Sequence, residues 1–575
     1  MKTVRNILQE STAKRWEMVR TNSFYQPRLA AMRAEAEELL GEAIPASSFA
    51  QYHLYYENGN RLTYENAYFE RRRRLNLFAF LYFLDADEKY LRPLEDILWA
   101  ILDEFTWALP AHVDEILPLK KQRAMLDLFA SETGYTLSEI YFLLQDRLPE
   151  LLNRRIEAEV QRRIIDSFLY TFPDGGNRWE HMDNNWAAVC AGSVGMAFLY
   201  MASEEEWEAA KPRLLKSIDN FLSGFHEDGA CLEGFTYWQY GFGYFLQFAE
   251  NLRQYTEGKE NLLLLPKVDK IAQFQQNCIL DDNLSLPVSD ANIEHFKQDL
   301  YITHYLYHHF AGIELPEQSM SYQYGEDHCY RWGGFFRYFL WTDPSLPTCT
   351  RQKKSWYFED AAWYLKNAEH YAFMAKAGDN DEPHNHNDIG SFCLSHNNAF
   401  LLYDLGAGEY TASYFQEETR YNHLVNASFG HSVPIIDGCG QLAGKQYCGS
   451  VKEHTDSTLS ISREGAYAVS GLSSLTRNFT FLSNEILWTD VFCFKDGESH
   501  NITERLVTKK KPEVEAGCVK IQELCILFSP EELAASVQEQ SYVGHQGEPQ
   551  TVYFIDFCQK VAEEEYSFTW KLQLP

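Results

Sequence analysis

The chain has 575 residues, 51 of them Lys or Arg and 82 Asp or Glu, for a formal net charge of −31. That length exceeds the ~100–200 residues usual for one domain, so two or more domains, or one large and one smaller, are expected. With 45% hydrophobic and 23% charged residues, the chain can build a packed core and is no disordered acidic tail; its charge argues against a broad basic surface for nucleic acid.

The opening stretch, MKTVRNILQESTAKRWEMVRTNSFYQ, has no apolar core of the kind a secretory signal needs. No run of 18 or more apolar residues occurs, so no membrane span is expected. The twelve cysteines, from Cys190 to Cys558, form no CxxC pair. Scattered cysteines without a leader point to reduced thiols and a cytoplasmic location.

Over the first ~350 residues the apolar residues recur at helical spacing. RLAAMRAEAEELLGE from Arg28, ENAYFERRRRLNLFAFLYFL from Glu65 and KYLRPLEDILWAILDEFTWAL from Lys89 each read as helices. The pattern continues from Leu137, Leu151, Asn185, Glu205, Phe235 and Asn261, broken by turns such as FPDGGN and HEDGA. Short loops between long helices indicate antiparallel helix hairpins, a solenoid or an (α/α) toroid, and the lack of a strict repeat favours the toroid. Near Trp356 the texture changes to alternating apolar and polar residues bounded by Gly, Asn and Asp, as in GSFCLSHNNAFLLYDLG and NFTFLSNEILWTDVFCF. This reads as an antiparallel β-sandwich. The expected division is 1–350 for an incomplete (α/α) toroid and 351–575 for the sandwich, with the break inside DPSLPTCTRQKKS.

Four stretches carry candidate chemistry. In EPHNHNDIGSF, His384 and His386 are two apart and would leave the same face of an extended chain. With Asp404 on the next strand of a hairpin and His431 in ASFGHSVP, they offer imidazoles and a carboxylate to a first-row divalent metal, zinc or manganese foremost; a polar turn capped by Asn and Asp is the plainer alternative. In HMDNNWAAV, His181, Asn184, Asn185 and Trp186 precede an apolar helix, where Asn is also a good N-cap. In DGACLEGFTYWQYGFGYF, Tyr237, Tyr240 and Tyr244 form one helical stripe, which more often faces a core than a cavity; Glu233 and Trp238 adjoin it. Arg71 to Arg74 form a basic run of the kind that usually makes a solvated helix face.

Taken together in this order, NNW, DGxxxEGxxYWxYG, HNHNDIGSF, LLYDLG and SFGHSVP resemble the heparinase II/III family of polysaccharide lyases, and the helical-then-β layout is similar too. The resemblance implies β-elimination on a uronate-containing oligo- or polysaccharide, most often a glycosaminoglycan. Such an enzyme neutralises the C5 carboxylate, removes the C5 proton and protonates the departing O4. By motif position Asn185, or its neighbour Asn184, with His181 nearby implies carboxylate neutralisation; Tyr237, with Tyr240 as a fallback, and His384 imply proton transfer. A tyrosine can serve as base only if its surroundings lower its pKa from ~10. His386, Asp404 and His431 match positions that hold a mainly structural divalent ion in metal-containing members. Trp186, Glu233, Trp238 and Arg420 are expected at the sugar. The absent leader favours short imported oligosaccharides. Two rivals stand beside this reading: an (α/α) toroid glycoside hydrolase using Asp183 and Glu233 as its carboxylate pair, and a non-catalytic carbohydrate-binding protein. No nucleic-acid or membrane partner is expected, and the oligomeric state is left open.

Overall fold

A computed structural model describes residues 12–173, 175–291 and 297–575. The chain forms two compact units: 1–225 with 237–272 and 297–350, and 226–236 with 273–296 and 351–575. Two segments from within the first 350 residues therefore belong to the second unit.

The first unit is an incomplete (α/α) toroid of helix hairpins. Four of its helices matter below: α1 (Leu62–Asp85), α2 (Leu128–Leu144), α3 (Asn185–Met201) and α4 (Phe235–Tyr255, in this unit from Tyr237). The periodicity expected from Leu137 starts earlier, at Leu128, because Asp127 caps that helix by accepting from the Ala130 N–H at 2.7 Å. The helix from Lys89 ends at Leu102, and the WAL that follows is turn and loop.

Helices α2, α3 and α4 run in the same direction. Their contacts climb in step: Glu132 with Tyr240, Tyr135 with Gln247, Glu139 with Tyr200. Glycines permit the close approach of α3 and α4. A Cβ on Gly241 would stand 3.2 Å from Asn185 Cα, and one on Gly192 would stand 3.0 Å from the Tyr244 carbonyl. All three helices thus begin at one end of the unit, where Asn185 and Tyr237 lie.

The run Arg71–Arg74 is no solvated face. Arg71 and Arg72 are buried and share the Glu104 carboxylate at 3.0 and 2.6 Å. Arg73 pairs with Glu35 and Glu70, and Arg74 with Glu70 and Glu42. Consecutive arginines point different ways on a helix, and each found a carboxylate. Among the described residues no helix is long and apolar enough to cross a membrane.

The second unit is an antiparallel β-sandwich. Among the described residues its sheets have two strands (279–285), five strands (356–402), nine strands (from 378–380 across to 513–515) and four strands (including 500–508 and 549–561), and every pairing is antiparallel. The alternation in EILWTDVFCF sends Ile486, Trp488, Phe492 and Phe494 inward, with Trp488 stacked on Trp570 at 3.9 Å.

Asp490 occupies an inward position of that same strand. It sits directly across from Arg477, whose Nη2 donates to it at 2.7 Å, while Trp488 Nε1 donates at 2.9 Å. Arg463 also pairs with Asp490, Arg477 reaches Glu504 at 3.0 Å, and all four charged side chains are fully buried. Arg477 further donates to the carbonyls of Gly390 and Ser432 at 2.6 and 2.7 Å. Removing one partner strands the opposite charges in a dry core. Asp490→Asn is therefore expected to cost about 3–5 kcal/mol in urea denaturation; a loss below ~1 kcal/mol would contradict this account.

Candidate active site

The HNHND stretch is a loop, not a strand. It runs between the strands Gly378–Asn380 and Phe392–His396, and His384 has φ +57°, in the left-handed region. The expectation that His384 and His386 share a strand face is therefore corrected, yet their rings converge all the same. Both reach Asp290, a fully buried carboxylate from the 273–296 segment that the sequence reading missed.

Asp290 Oδ2 accepts from His384 Nδ1 at 2.5 Å and from the Tyr410 hydroxyl at 2.9 Å. Its Oδ1 accepts from His386 Nε2 at 3.0 Å and from the Tyr414 hydroxyl. Burial alone would raise the Asp290 pKa, but the two histidines hold it well below the usual carboxylate range. Burial lowers and the Asp290 bond raises the His384 imidazole, with a net rise. With Nδ1 bonded to Asp290, His384 Nε2 is turned towards Glu233, itself buried and 3.6 Å away. Glu233 is carried there by Leu232, whose carbonyl accepts from Ser289 Oγ at 2.9 Å. Gly406 (φ +61°) makes room for the Asp290 segment, since a Cβ there would stand 2.7 Å from the Ala291 carbonyl.

A buried loop must pair its backbone groups, and here side chains do much of it. Gln441 holds both the Ile389 N–H and its carbonyl, at 2.9 and 2.7 Å. Ser428 donates to the Asn387 carbonyl at 2.8 Å. Arg420, expected at the sugar, instead donates to the Asn385 and Tyr414 carbonyls at 3.0 and 3.2 Å.

His386, Asp404 and His431 are fully buried or nearly so, and one potential ligand atom from each lies within 4.8 Å of the others. His386 Nε2 is committed to Asp290, which leaves Nδ1 as a lone pair with no partner among the described residues. His431 Nε2 faces the Val425 carbonyl at 2.9 Å, so the Nε2–H tautomer points the Nδ1 lone pair at Asp404 Oδ2, 2.8 Å away. Two imidazoles and a carboxylate gathered around one small buried volume suit a first-row divalent cation. Without a cation, the pair is reconciled by protonation: burial lowers the His431 pKa, Asp404 raises it, and the net is a rise.

In the helical unit, Asn185 is buried at the first turn of α3, and Asn184 is its N-cap, accepting from the Trp186 N–H at 3.1 Å. Trp186 is half-buried. His181 is exposed and bonded to the Gly175 carbonyl at 2.8 Å. Tyr237 is half-buried at the start of α4. Trp238 is a core residue, 1% exposed, donating to the Ile271 carbonyl at 2.9 Å; its expected sugar contact is corrected.

Tyr240 donates to Glu132 at 2.5 Å with the Arg331 guanidinium 4.3 Å from its ring centroid. Burial first, then Glu132, pushes its phenol well above the ordinary value, the reverse of what a base at neutral pH needs. Tyr240 is thus a fixed donor and not the fallback base. Burial lifts Glu132 to about 7 against the opposing pull of Arg331.

Residues 350–570 match the family described as Heparinase II/III-like, C-terminal. Among solved structures, a heparinase III is 12% identical over 98% of this chain and 91% of that one, with a TM-score of 0.60. The heparan sulfate lyase HepC of Pedobacter heparinus is 14% identical over 98% and 91%, TM-score 0.56. The chondroitin AC lyase of Streptomyces coelicolor A3, solved in complex with chondroitin sulphate, is 11% identical over 99% and 82%, TM-score 0.55. At these identities the likeness is one of fold. No curated sequence matches the chain.

Glu132 makes stability depend on pH, because burial raises its carboxyl pKa in the folded chain. Its folded pKa of about 7 exceeds the unfolded ~4.3, so the stability it contributes is present below ~4.3 and lost as pH rises through about 7. Glu132→Gln should remove on the order of 3 kcal/mol of the fall in unfolding free energy between about pH 4 and about pH 8; denaturation curves with unchanged pH dependence would refute this.

Proposed function

We propose that this chain, whose residues 350–570 are a heparinase II/III-like C-terminal domain, is a lyase that cleaves uronate-containing oligo- or polysaccharides, glycosaminoglycans foremost, by β-elimination. The observation that carries the reading is the His384 ring, fixed through Nδ1 by a buried carboxylate and presenting Nε2, inside the matched domain.

The reaction removes the C5 proton, breaks the C4–O4 bond and leaves a C4=C5 double bond. Asn185 supplies the amide that meets charge gathering on the C5 carboxylate. His384, its tautomer set by Asp290, takes the C5 proton at Nε2, as an oriented imidazole does in other enzymes. Tyr237 delivers a proton to O4. Asn184 and Trp238 serve the fold, and Arg420 acts as a brace for the loop.

His386 Nδ1, His431 Nδ1 and Asp404 are the residues we assign to a divalent cation, zinc or manganese. When bound, such an ion supplies fixed geometry to the loop, with His386 passing that constraint through Asp290 to His384.

The decisive measurement is ultraviolet absorbance of the conjugated product across glycosaminoglycans and alginate, as polymers and oligosaccharides. Sugar release without a rise in absorbance would favour hydrolysis and sink the lyase reading. Asn185→Ala and Asp290→Asn should each lower turnover by at least ~10²-fold, and near-wild-type rates in both would refute these roles. For the cation, elemental analysis should find one equivalent per chain, absent in His431→Ala, and chelation should lower the melting temperature. Metal-free protein with a melting curve insensitive to chelator and to added zinc or manganese would overturn that assignment.

A further inference from the structure

His112 lies in the turn Pro110–His112, ahead of α2, in a stretch with no motif. Its Nδ1 meets Asp127 Oδ2 at 2.8 Å. Asp127 is buried, and its carboxylate also accepts from the Leu109 N–H at 3.1 Å and the Ala130 N–H at 2.7 Å. With three donors converging on one carboxylate, Nδ1 carries the proton and Nε2 is the open nitrogen. The ring lies parallel to Phe129 (4° between planes, centroids 6.1 Å apart) and meets Trp186 edge-on at 4.8 Å. Trp186 follows Asn185 directly, and α2 and α3 begin at the same end of the unit.

The imidazole is therefore held on three sides, by a carboxylate and two aromatic rings, and its side chain is 13% exposed. Among the described residues none bonds Nε2. A histidine that only filled space would leave no reason to aim a buried carboxylate at one nitrogen and leave the other open. An oriented ring nitrogen beside a half-buried indole is how proteins take a sugar: the indole covers ring C–H groups while the nitrogen meets a hydroxyl or carboxylate oxygen.

We propose that His112, positioned by Asp127, is a substrate-contacting residue of the helical unit, binding a hexuronate oxygen next to Trp186. This rests on the uronate-lyase reading for its ligand class, but not on any role of His384 or of a metal. The variant to use is His112→Phe, which keeps the ring packing and removes both nitrogens. Asp127→Asn keeps a helix cap while taking the charged acceptor from Nδ1.

Binding of a glucuronate–N-acetylglucosamine tetrasaccharide by calorimetry should weaken roughly tenfold or more in His112→Phe and less in Asp127→Asn. In turnover assays the KM should rise while kcat changes little. The outcome that overturns the proposal is wild-type affinity and KM in a folded His112→Phe protein; equal losses of kcat with unchanged KM would also do so. Should the wild-type protein bind the tetrasaccharide without any absorbance rise, and His112→Phe still weaken that binding, the subsite stands and the lyase reading alone fails.

Discussion

One carboxylate organises the histidine loop of the sandwich unit. Asp290 is fully buried and accepts hydrogen bonds from two histidines and two tyrosines. A buried anion is tolerated only when its lone pairs are filled, and filling these four draws together the 384–386 loop, the 410–414 turn and a segment 94 residues upstream of His384. The left-handed backbone at His384 is the local cost of bringing Nδ1 to that point. These bonds fix the orientation of each imidazole, so Asp290 sets which nitrogen of His384 and which of His386 is turned away from it.

The helical unit reaches order by a different route. Its parallel helices are set by glycines that let α4 lie on Asn185, and its charges are largely consumed internally. Arg71 and Arg72 serve Glu104, Arg331 serves Asp327, and Glu132 is kept in check by Arg331 and Tyr240. A net charge of −31 therefore coexists with very few uncommitted guanidinium groups among these arginines. Under the proposed function, recognition of an acidic sugar would then fall to oriented neutral donors, amide, phenol and imidazole, rather than to a basic surface.

Much of this was legible in the sequence. Helical periodicity and strand alternation located the two textures, and the histidine spacing in HNHND marked the loop that matters. Strand geometry does not govern that loop, which is irregular; the convergence of its histidines comes from a distant acceptor, not from period-2 alternation. Asp290 was invisible since LPVSDAN carries no motif and its partners lie far along the chain. His112 was hidden for the same reason: its neighbours Asp127 and Trp186 are 15 and 74 positions away. Trp238 misled because an aromatic beside a candidate tyrosine looks like a sugar platform, whereas helical phase turned it 100° into the core. The arginine run misled because composition does not reveal which carboxylates will be folded against it.

The loop from Asn385 to Gly390 has a consequence for motion. Its carbonyls are held largely by side chains from elsewhere in the sandwich, the farthest being Arg477, 87 positions from Gly390 and itself anchored to Asp490 in the core, while the Asn387 and Gly390 amides donate to the backbone carbonyls of Asn426 and Lys376. Such a loop has no private route to opening; it comes apart only when the charged centre of the sandwich does. Its amide hydrogens are therefore expected to exchange as slowly as those of the core strands, unlike those of a lid. The ordering entropy that many proteins surrender when a ligand arrives has here been surrendered during folding, so any ligand of this loop would meet a surface with little left to freeze.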